Sequence, residues 1–334
     1  MTSRPFFSIG VTTYDRVELL KETLKSILAQ TFTDFEVIIG NNNPSRVLTA
    51  DLLGVDDPRI TILNHKENLG QLGNMLTLQQ HGSGRYITWI ADDDLYAREF
   101  LEAGNQAILK FDYPECVFTG FQQGTQVPTE PIEFSGKERL TPGPSFLGEY
   151  LAGKLKTIGT MGLFRADYLE AGGGLEDLSR APIAIYTEYL QIIKAGSLEN
   201  VAFIDAPLVI YNIHEGSFST SNSELEPFKR AQQNLIRRSL EVLRQPLLLP
   251  DFEHNLTCVF KFFLMDFTNA LWRARVFTPR TFLRLLIESR SHLNPLKGTA
   301  LYWRGMSSLL KAEAWLIGAV GQQKVKALTN RQPD

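Results

Sequence analysis

Cysteine is scarce in this chain of 334 residues, with Cys116 and Cys258 as the two thiols. Two isolated thiols give no metal-ligand spacing and no disulfide framework, so a reducing compartment is the expectation. Long apolar runs are missing as well. No stretch of about 18 uninterrupted apolar residues occurs, which excludes a transmembrane helix on pattern. The Phe-rich segment around 259–272 comes nearest, and Lys261, Asp266 and Arg273 interrupt it. The N-terminus runs through Arg4-Pro5 straight into a strand pattern, without the apolar h-region and cleavage site of a secretory signal. A cytoplasmic protein is therefore expected. Also missing are GxxxxGK[ST], a GxGxxG after the first strand, and GxSxG, so P-loop, dinucleotide-binding and nucleophile-elbow chemistries lack their signatures. No nucleic-acid-binding signature accompanies the basic residues.

The chain does have the composition of a folded protein, 43% hydrophobic and 21% charged, enough apolar surface for a substantial core. Its charge is uneven. Residues 1–228 hold 17 Lys and Arg against 30 Asp and Glu, whereas 229–334 hold 17 against 7. That reversal predicts two segments with different surroundings.

The most informative stretch is Tyr86-Ile87-Thr88-Trp89-Ile90-Ala91-Asp92-Asp93-Asp94. A buried-strand pattern ends in three consecutive carboxylates, at the strand end where open α/β sheets bind ligands. Three adjacent carboxylates repel one another and are best accommodated beside a cation, and hard oxygen ligands suit Mg²⁺ or Mn²⁺ with a phosphate. The competing reading is a solvated acidic turn that caps the next helix.

Upstream, strand patterns at 6–12, 35–39 and 60–63 alternate with helical patterns. Val17, Leu20, Leu24, Ile27 and Leu28 repeat at the helical period, and Asp15 with Glu18 predicts a capping box. A helix over about 72–80 leads to the acidic strand, and another comes after it at about 98–111. Such alternation predicts a doubly wound, mostly parallel α/β sheet. Its strand ends carry Thr12-Thr13, Asn41-Asn42 and the Asp triplet, gathered along one edge. Beyond it, a strand at 116–119, an irregular excursion over 120–146, a strand at 158–164, a helix at 186–195 and two strands at 201–204 and 208–211 are expected. Residues 216–223 read as a linker, Ser223 with Glu226 as a second capping box, and the remainder to about 328 as helical.

Four blocks resemble the family 2 glycosyltransferases of GT-A fold. They are Gly10-Val11-Thr12-Thr13-Tyr14-Asp15-Arg16; Asp34-Phe35-Glu36-Val37-Ile38-Ile39; Asn68-Leu69-Gly70 with Asn74 and Gly84-Arg85-Tyr86-Ile87; and the Asp triplet with Phe100-Leu101-Glu102. A weaker match lies in Gly173-Gly174-Leu175 and Pro207-Leu208-Val209-Ile210-Tyr211 with His214 and Ser219. The resemblance implies a GT-A domain over 1–220, with a nucleotide-binding half at 1–112 and an acceptor half at 113–220, succeeded by a helical region at 224–334. It implies inverting transfer from a nucleotide-sugar donor to a glycan or lipid-linked saccharide acceptor, assisted by a divalent cation, Mn²⁺ or Mg²⁺. Donor contacts fall to Thr12, Thr13, Tyr14, Asn41, Asn42, Asn68, Gly70, Asn74, Asp92 and Asp93, with Thr13 and Asn42 expected to face the nucleoside. Metal contacts fall to Asp92, Asp93, Asp94 and His214. The general base is expected at Glu188, with Asp177 as the alternative.

The chain departs from the family pattern in three places. Thr12 stands where the family has proline, Asn41-Asn42 where it usually has Asp-Asp, and Ala91 where its Asp-x-Asp would begin. Two readings compete with transfer. A sugar nucleotidyltransferase would need a Gly-rich loop after strand one, which Thr12-Thr13-Tyr14-Asp15 does not supply. A non-catalytic nucleotide-sugar-binding module would explain the Asn and Ala departures. The basic, Trp-containing helical end fits either an anionic membrane surface or packing on the enzyme body or a second subunit, the plainer expectation.

Overall fold

The computed structural model describes residues 4–212 and 225–329. His214, Ser219, the 216–223 linker and the Ser223 cap lie outside the described residues. Two compact units are present, Met1–Ser221 and Asn222–Asp334.

The first unit is built on a nine-stranded mixed sheet. Its leading half is wholly parallel. β1 (Phe7–Thr13) lies between β2 (Phe35–Asn41) and β4 (Tyr86–Ala91), and β3 (Ile60–Asn64) pairs with the outer side of β2. Nearly every residue of β1, β2 and β4 is buried, as parallel strands covered on both faces require. Helix α1 (Val17–Leu28) turns Leu20, Leu24 and Ile27 onto the sheet at 0% exposure, each burial contributing about 1.5–3 kcal/mol. The capping box expected at its start does not form. Arg16 is the N-cap residue, with no side-chain cap, and Asp15 sits at φ 57° with its carboxylate on Arg46 at 2.9 Å. The short α2 (Ala50–Leu53) is capped by Thr49.

Register fixes which residues meet at the sheet's edge. Thr12 lies between Gly40 of β2 and Ala91 of β4, and Thr13 is opposite Asn41. The polar ends of three strands thus come level, as expected. α3 (Gly70–His81) and α4 (Phe100–Lys110) connect this half, and the two-residue β5 (Leu95–Tyr96) comes just after the triplet.

The trailing half is mixed. β6 (Cys116–Gln123) runs parallel to β9 (Asn200–Tyr211), while β8 (Leu163–Arg165) joins β4 to β6 with antiparallel pairing on both sides. The excursion expected over 120–146 is only partly irregular. It contains β7 (Glu138–Pro142), antiparallel to β9, and then α5 (Gly143–Leu151). The strand expected at 158–164 divides into a 3₁₀ turn at Gly159–Met161 and the shorter β8. The two strands expected at 201–204 and 208–211 are one strand, β9, whose pairing with β6 shifts register around Gly120. A short helix α6 (Ala166–Tyr168) and α7 (Thr187–Ala195) complete the unit.

The second unit is helical: α8 (Leu225–Leu243), α9 (Phe252–Arg273), α10 (Pro279–Ser289) and α11 (Ala300–Thr329). α9 packs on α8 and α11 through an apolar seam that includes Leu256, Phe260 and Leu264, all at 0% exposure. Thr278 and Thr281 form a capping box at the start of α10, with Pro279 at its first position. Among the described residues no helix is long and apolar enough to cross a membrane.

Candidate active site

The carboxylate triplet leaves β4 and immediately diverges. Asp92, with a side chain at 0% exposure, turns back under β1, where Thr13 Oγ1 donates to its Oδ2 at 2.6 Å. Its other oxygen pairs with Arg16 Nη2, while Arg16 Nη1 reaches Asp93 Oδ2 at 2.7 Å. One guanidinium thus serves two neighbouring carboxylates, the planar fork arrangement that Arg favours. Burial pushes the Asp92 carboxyl up, opposed by Arg16 and the Thr13 hydroxyl. Arg16 is held by Asp92 and Asp93 above its ordinary value despite the lowering effect of burial.

Asp94 takes no part in that cluster. Its Oδ1 accepts the backbone N–H of Asn212 at 2.9 Å, its carbonyl accepts Thr23 Oγ1 at 2.8 Å, and burial pushes its carboxyl up to about 8. Asp94 therefore ties the end of β9 to β4. Asp94 thus points away from Asp92 and Asp93, and among the described residues no group of three His, Cys, Asp or Glu is arranged to hold a metal. The donor set still fits Mg²⁺ or Mn²⁺ held in the usual way, by one or two carboxylates with phosphate oxygens completing the shell. Asp93, whose side chain is 11% exposed, is the more accessible of the two carboxylates that Arg16 meets.

The asparagines expected to face the nucleoside are occupied within the fold. Asn42 accepts from Leu69 N at 2.9 Å and donates to Gly70 O at 3.0 Å. Asn41 donates to Arg46 O at 2.6 Å and Asn64 Oδ1 at 2.8 Å, and accepts from Asn43 N. Both are nearly fully buried, and Asn42 pins the turn that opens α3. In that turn Asn68 Oδ1 accepts from Gly70 N at 2.9 Å. Gly70 sits at φ 72°, where an added Cβ would come 2.9 Å from Pro182 O. Asn74 is equally internal, donating to Gly40 O at 2.7 Å and meeting His65 Nε2 at 2.9 Å. Thr12 carries the backbone contact to Asp92 N at 3.1 Å. Tyr14, directly after Thr13, is 52% exposed.

In the trailing half, Asp177 is exposed and its Oδ1 accepts from the N–H groups of Ser179 and Arg180, a local turn contact. Glu188 differs. It opens α7, where Tyr186 takes a left-handed N-cap conformation, and burial raises its pKa. The 3₁₀ turn Gly159–Met161 packs on β4 on one side and α7 on the other, so it connects the helix start to the sheet. Lys194, near the end of α7, fastens the Gly172–Gly174 turn by donating to Gly172 O at 2.9 Å and Gly174 O at 2.8 Å.

Sequence reasoning passed over Arg16 and Asn212. Arg16 had a signal: a lone base three residues beyond a strand end, level with an acidic strand end next door. Asn212 had none, since it acts through its backbone N–H.

A twisted α/β sheet with an acidic strand end facing a polar edge, continued by a mixed half, is the GT-A architecture. Residues 8–171 match the family model Glycosyl transferase family 2. The chain carries a family 2 glycosyltransferase domain. It is 36% identical over 93 residues to GalNAc(5)-diNAcBac-PP-undecaprenol beta-1,3-glucosyltransferase of Campylobacter jejuni, covering 27% of this chain and 30% of that protein. It is 26% identical over 103 residues to UDP-Glc:alpha-D-GlcNAc-diphosphoundecaprenol beta-1,3-glucosyltransferase WfgD of Escherichia coli, covering 31% and 41%. The matched stretch thus spans less than half the length of these curated relatives. Among solved structures, S. aureus TarS 1-349 in complex with UDP-GlcNAc superposes with a TM-score of 0.54 at 14% identity, covering 94% of this chain and 92% of that one. The mannosyltransferase PcManGT from Pyrobaculum calidifontis, in complex with GDP-Man and Mn2+, gives 0.50 at 17%, covering 94% and 88%. At these identities the structural likenesses establish the fold.

Proposed function

We propose that this chain transfers a sugar from a nucleotide-diphosphate-sugar to a lipid-linked saccharide, with inversion at the anomeric carbon, at the inner face of a membrane. The observation that carries the reading is the pair of stations on one domain: the Arg16–Asp92–Asp93 cluster at the end of β4, and Glu188, its carboxyl raised by burial, at the start of α7. The acceptor class is supported by the two relatives, whose names specify undecaprenol-diphosphate substrates.

The residues divide the work. The 1–112 half holds the donor, with the exposed Tyr14 ring offered to the nucleobase and Thr12 and Thr13 setting the β1 end against Asp92. Asp93, with Asp92 behind it, would hold a divalent cation together with the donor's diphosphate, and His214 is the candidate further ligand. Mg²⁺ or Mn²⁺ held there would supply charge neutralisation for the departing diphosphate. Arg16 supplies positive charge to the same oxygens and keeps the two carboxylates from repelling each other apart. The 113–220 half presents the acceptor. Its hydroxyl oxygen bonds to the anomeric carbon from the face opposite the leaving diphosphate, and its proton passes to Glu188. A carboxyl raised toward the working pH is better matched to that proton transfer. Asp177 is left to its turn.

Calorimetric titration with UDP-, GDP- and dTDP-sugars, with and without Mn²⁺, and then transfer to an undecaprenyl-diphosphate-linked sugar, tests this. One donor is expected to bind, and more tightly with Mn²⁺. Asp93→Ala should lose the Mn²⁺ enhancement and the transfer while keeping the wild-type melting profile. Undiminished transfer by Asp93→Ala would remove the cation from the reading. Donor binding without transfer or donor hydrolysis under any condition would leave a binding module in its place.

A further inference from the structure

Helix α10 of the second unit is apolar on two sides. Leu285, Leu286 and Ser289 are buried within the unit. Leu283 and Ile287, by contrast, are 58% and 57% exposed. They lie with Arg280 and Arg284 at the i, i+3, i+4, i+7 spacing that places four side chains on one helical face, and both arginines are exposed too. That spacing ordinarily marks the side turned to a core. Here it alternates guanidinium and aliphatic groups on the solvent side.

The turn that precedes the helix exposes apolar groups of its own. Trp272 and Val276 are exposed. Trp272 stacks on Phe277 with ring centroids 4.7 Å apart, and Phe277 meets Phe282 at 5.8 Å, which joins the turn to α10. Arg273 and Arg275 are exposed beside them. From 272 to 289 the chain carries four arginines and a single acid, Glu288. Glu288 is itself met by Arg284 at 2.7 Å and Lys229 at 3.5 Å, and the Arg284 contact holds its carboxyl below the usual range. The exposed face of α10 therefore sets two aliphatic side chains among positive charge.

We propose that the face of α10 bearing Arg280, Leu283, Arg284 and Ile287 rests on an anionic phospholipid bilayer. Its apolar groups enter the boundary between headgroups and acyl chains, and its arginines bind lipid phosphates. Charge complementarity selects this occupant. Amphipathic faces of this composition lie in the membrane interface, and guanidinium matches phosphate geometry. Contact of this face with its own copy across a two-fold axis would set arginine against arginine. The rest of the molecule agrees, since residues 1–228 carry an excess of acid that an anionic surface repels, and residues 229–334 an excess of base that it attracts. The inference rests on the membrane location in the proposed function and is independent of its transfer chemistry.

Sedimentation of the full-length protein with phosphatidylcholine vesicles, with and without phosphatidylglycerol, tests it. Binding to the anionic vesicles alone is expected, weakening as salt rises, with a blue shift of tryptophan emission on binding. Each arginine near such a surface contributes about five-fold, so R280Q/R284Q should weaken binding roughly 25-fold. L283Q/I287Q should weaken it separately, and both variants should keep nucleotide binding and wild-type melting. Equal binding to neutral and anionic vesicles would overturn the proposal, as would variants that bind like wild type. A fall in mass from dimer to monomer in the variants, with vesicle binding unmoved, would assign the face to a second copy. Failure of the transfer chemistry would show instead in the donor titration, with vesicle binding intact.

Discussion

At the scale of single residues, the site is organised by where charge is left in the protein interior. Arg16 spans Asp92 and Asp93, so a fully buried carboxylate has its counter-charge within the fold. Taking Arg16 away would leave the buried Asp92 carboxylate uncompensated, at a cost on the order of 3–5 kcal/mol, whereas loss of Asp93 leaves the Arg16–Asp92 pair in place. Glu188 differs, since burial alone raises its pKa. A raised carboxyl in the folded state means that the unfolded chain gives up its proton first. Stability is then full below the ordinary carboxylate range and falls as pH rises through the raised value. The Glu188→Gln variant removes both the proposed base and that penalty. It is expected to melt at a higher temperature than wild type at neutral pH, and to bind donor normally. Its transfer should be slower by about 10²–10⁴-fold. A lowered melting temperature with unchanged turnover would show that Glu188 is a structural carboxylate, and paired calorimetry and product assays distinguish the outcomes.

At the scale of elements, α7 is placed by a glycine rather than by a cap. An added Cβ at Gly159 would come 2.2 Å from the carbonyl oxygen of Glu188, a backbone atom that cannot swing aside. Gly159 thus lets the 3₁₀ turn sit between β4 and the start of α7. Gly159→Ala should displace that helix start, at a cost of about 1–3 kcal/mol from overpacking. Transfer should fall with donor affinity kept, because the donor contacts proposed above lie on β1 and β4. A proportional loss of donor affinity would show that the turn supports the nucleotide half instead. Gln191, one turn along the helix, is buried with neither amide atom hydrogen-bonded within the described residues, so α7 tolerates a costly polar group. The asparagines at the end of β2 act at this scale too, since Asn42 fastens the turn opening α3 and Asn74 fills the space left by Gly40.

At the scale of the whole molecule, an acidic sheet unit is joined to a basic helical unit, and the two respond differently to their surroundings. Between α8, α9 and α10, a cavity of about 260 Å³ is lined by Lys229, Gln232, Phe263, Glu288 and His292 among others. His292 packs edge-on against Phe263 with centroids 5.4 Å apart, and burial pushes its pKa down to about 4. A histidine whose folded pKa lies below the unfolded value of about 6.5 contributes stability that is present above pH ~6.5 and lost as pH falls toward 4. The melting temperature of the helical unit should therefore decline over that window, and His292→Gln should flatten the decline. An identical acid profile for the variant would place the sensitivity elsewhere.

Much of this protein is dictated by local pattern. The alternation of buried strands with amphipathic helices through residue 112 depends on side-chain periodicity within each segment, and so does the arrival of Thr13, Asn41 and Asp92 at strand ends. Once the strands run parallel, those ends must lie together. The charge reversal near residue 228 and the helical character of residues 229–329 are matters of composition and periodicity. The partners were not legible. Arg16 and Asp92 are 76 positions apart, and Asp94 and Asn212 are 118 apart. No periodicity encodes which of three adjacent carboxylates turns toward a guanidinium and which toward a backbone N–H. The Asn41 and Asn42 amides offered the same hydrogen bonds to a ligand as to a neighbouring turn, and only the position of Asn64 and of the Leu69–Gly70 backbone directed them inward. Likewise β9 is one strand because β6 and β7 supply hydrogen-bond partners along its length, bridging Asp205-Ala206-Pro207, where local propensity alone signals a break. The sequence by itself determined the elements and the edge on which the chemistry would gather. The tertiary structure decided which side chains remain available there, because hydrogen bonds and ion pairs form between groups that only folding brings within about 3 Å of each other.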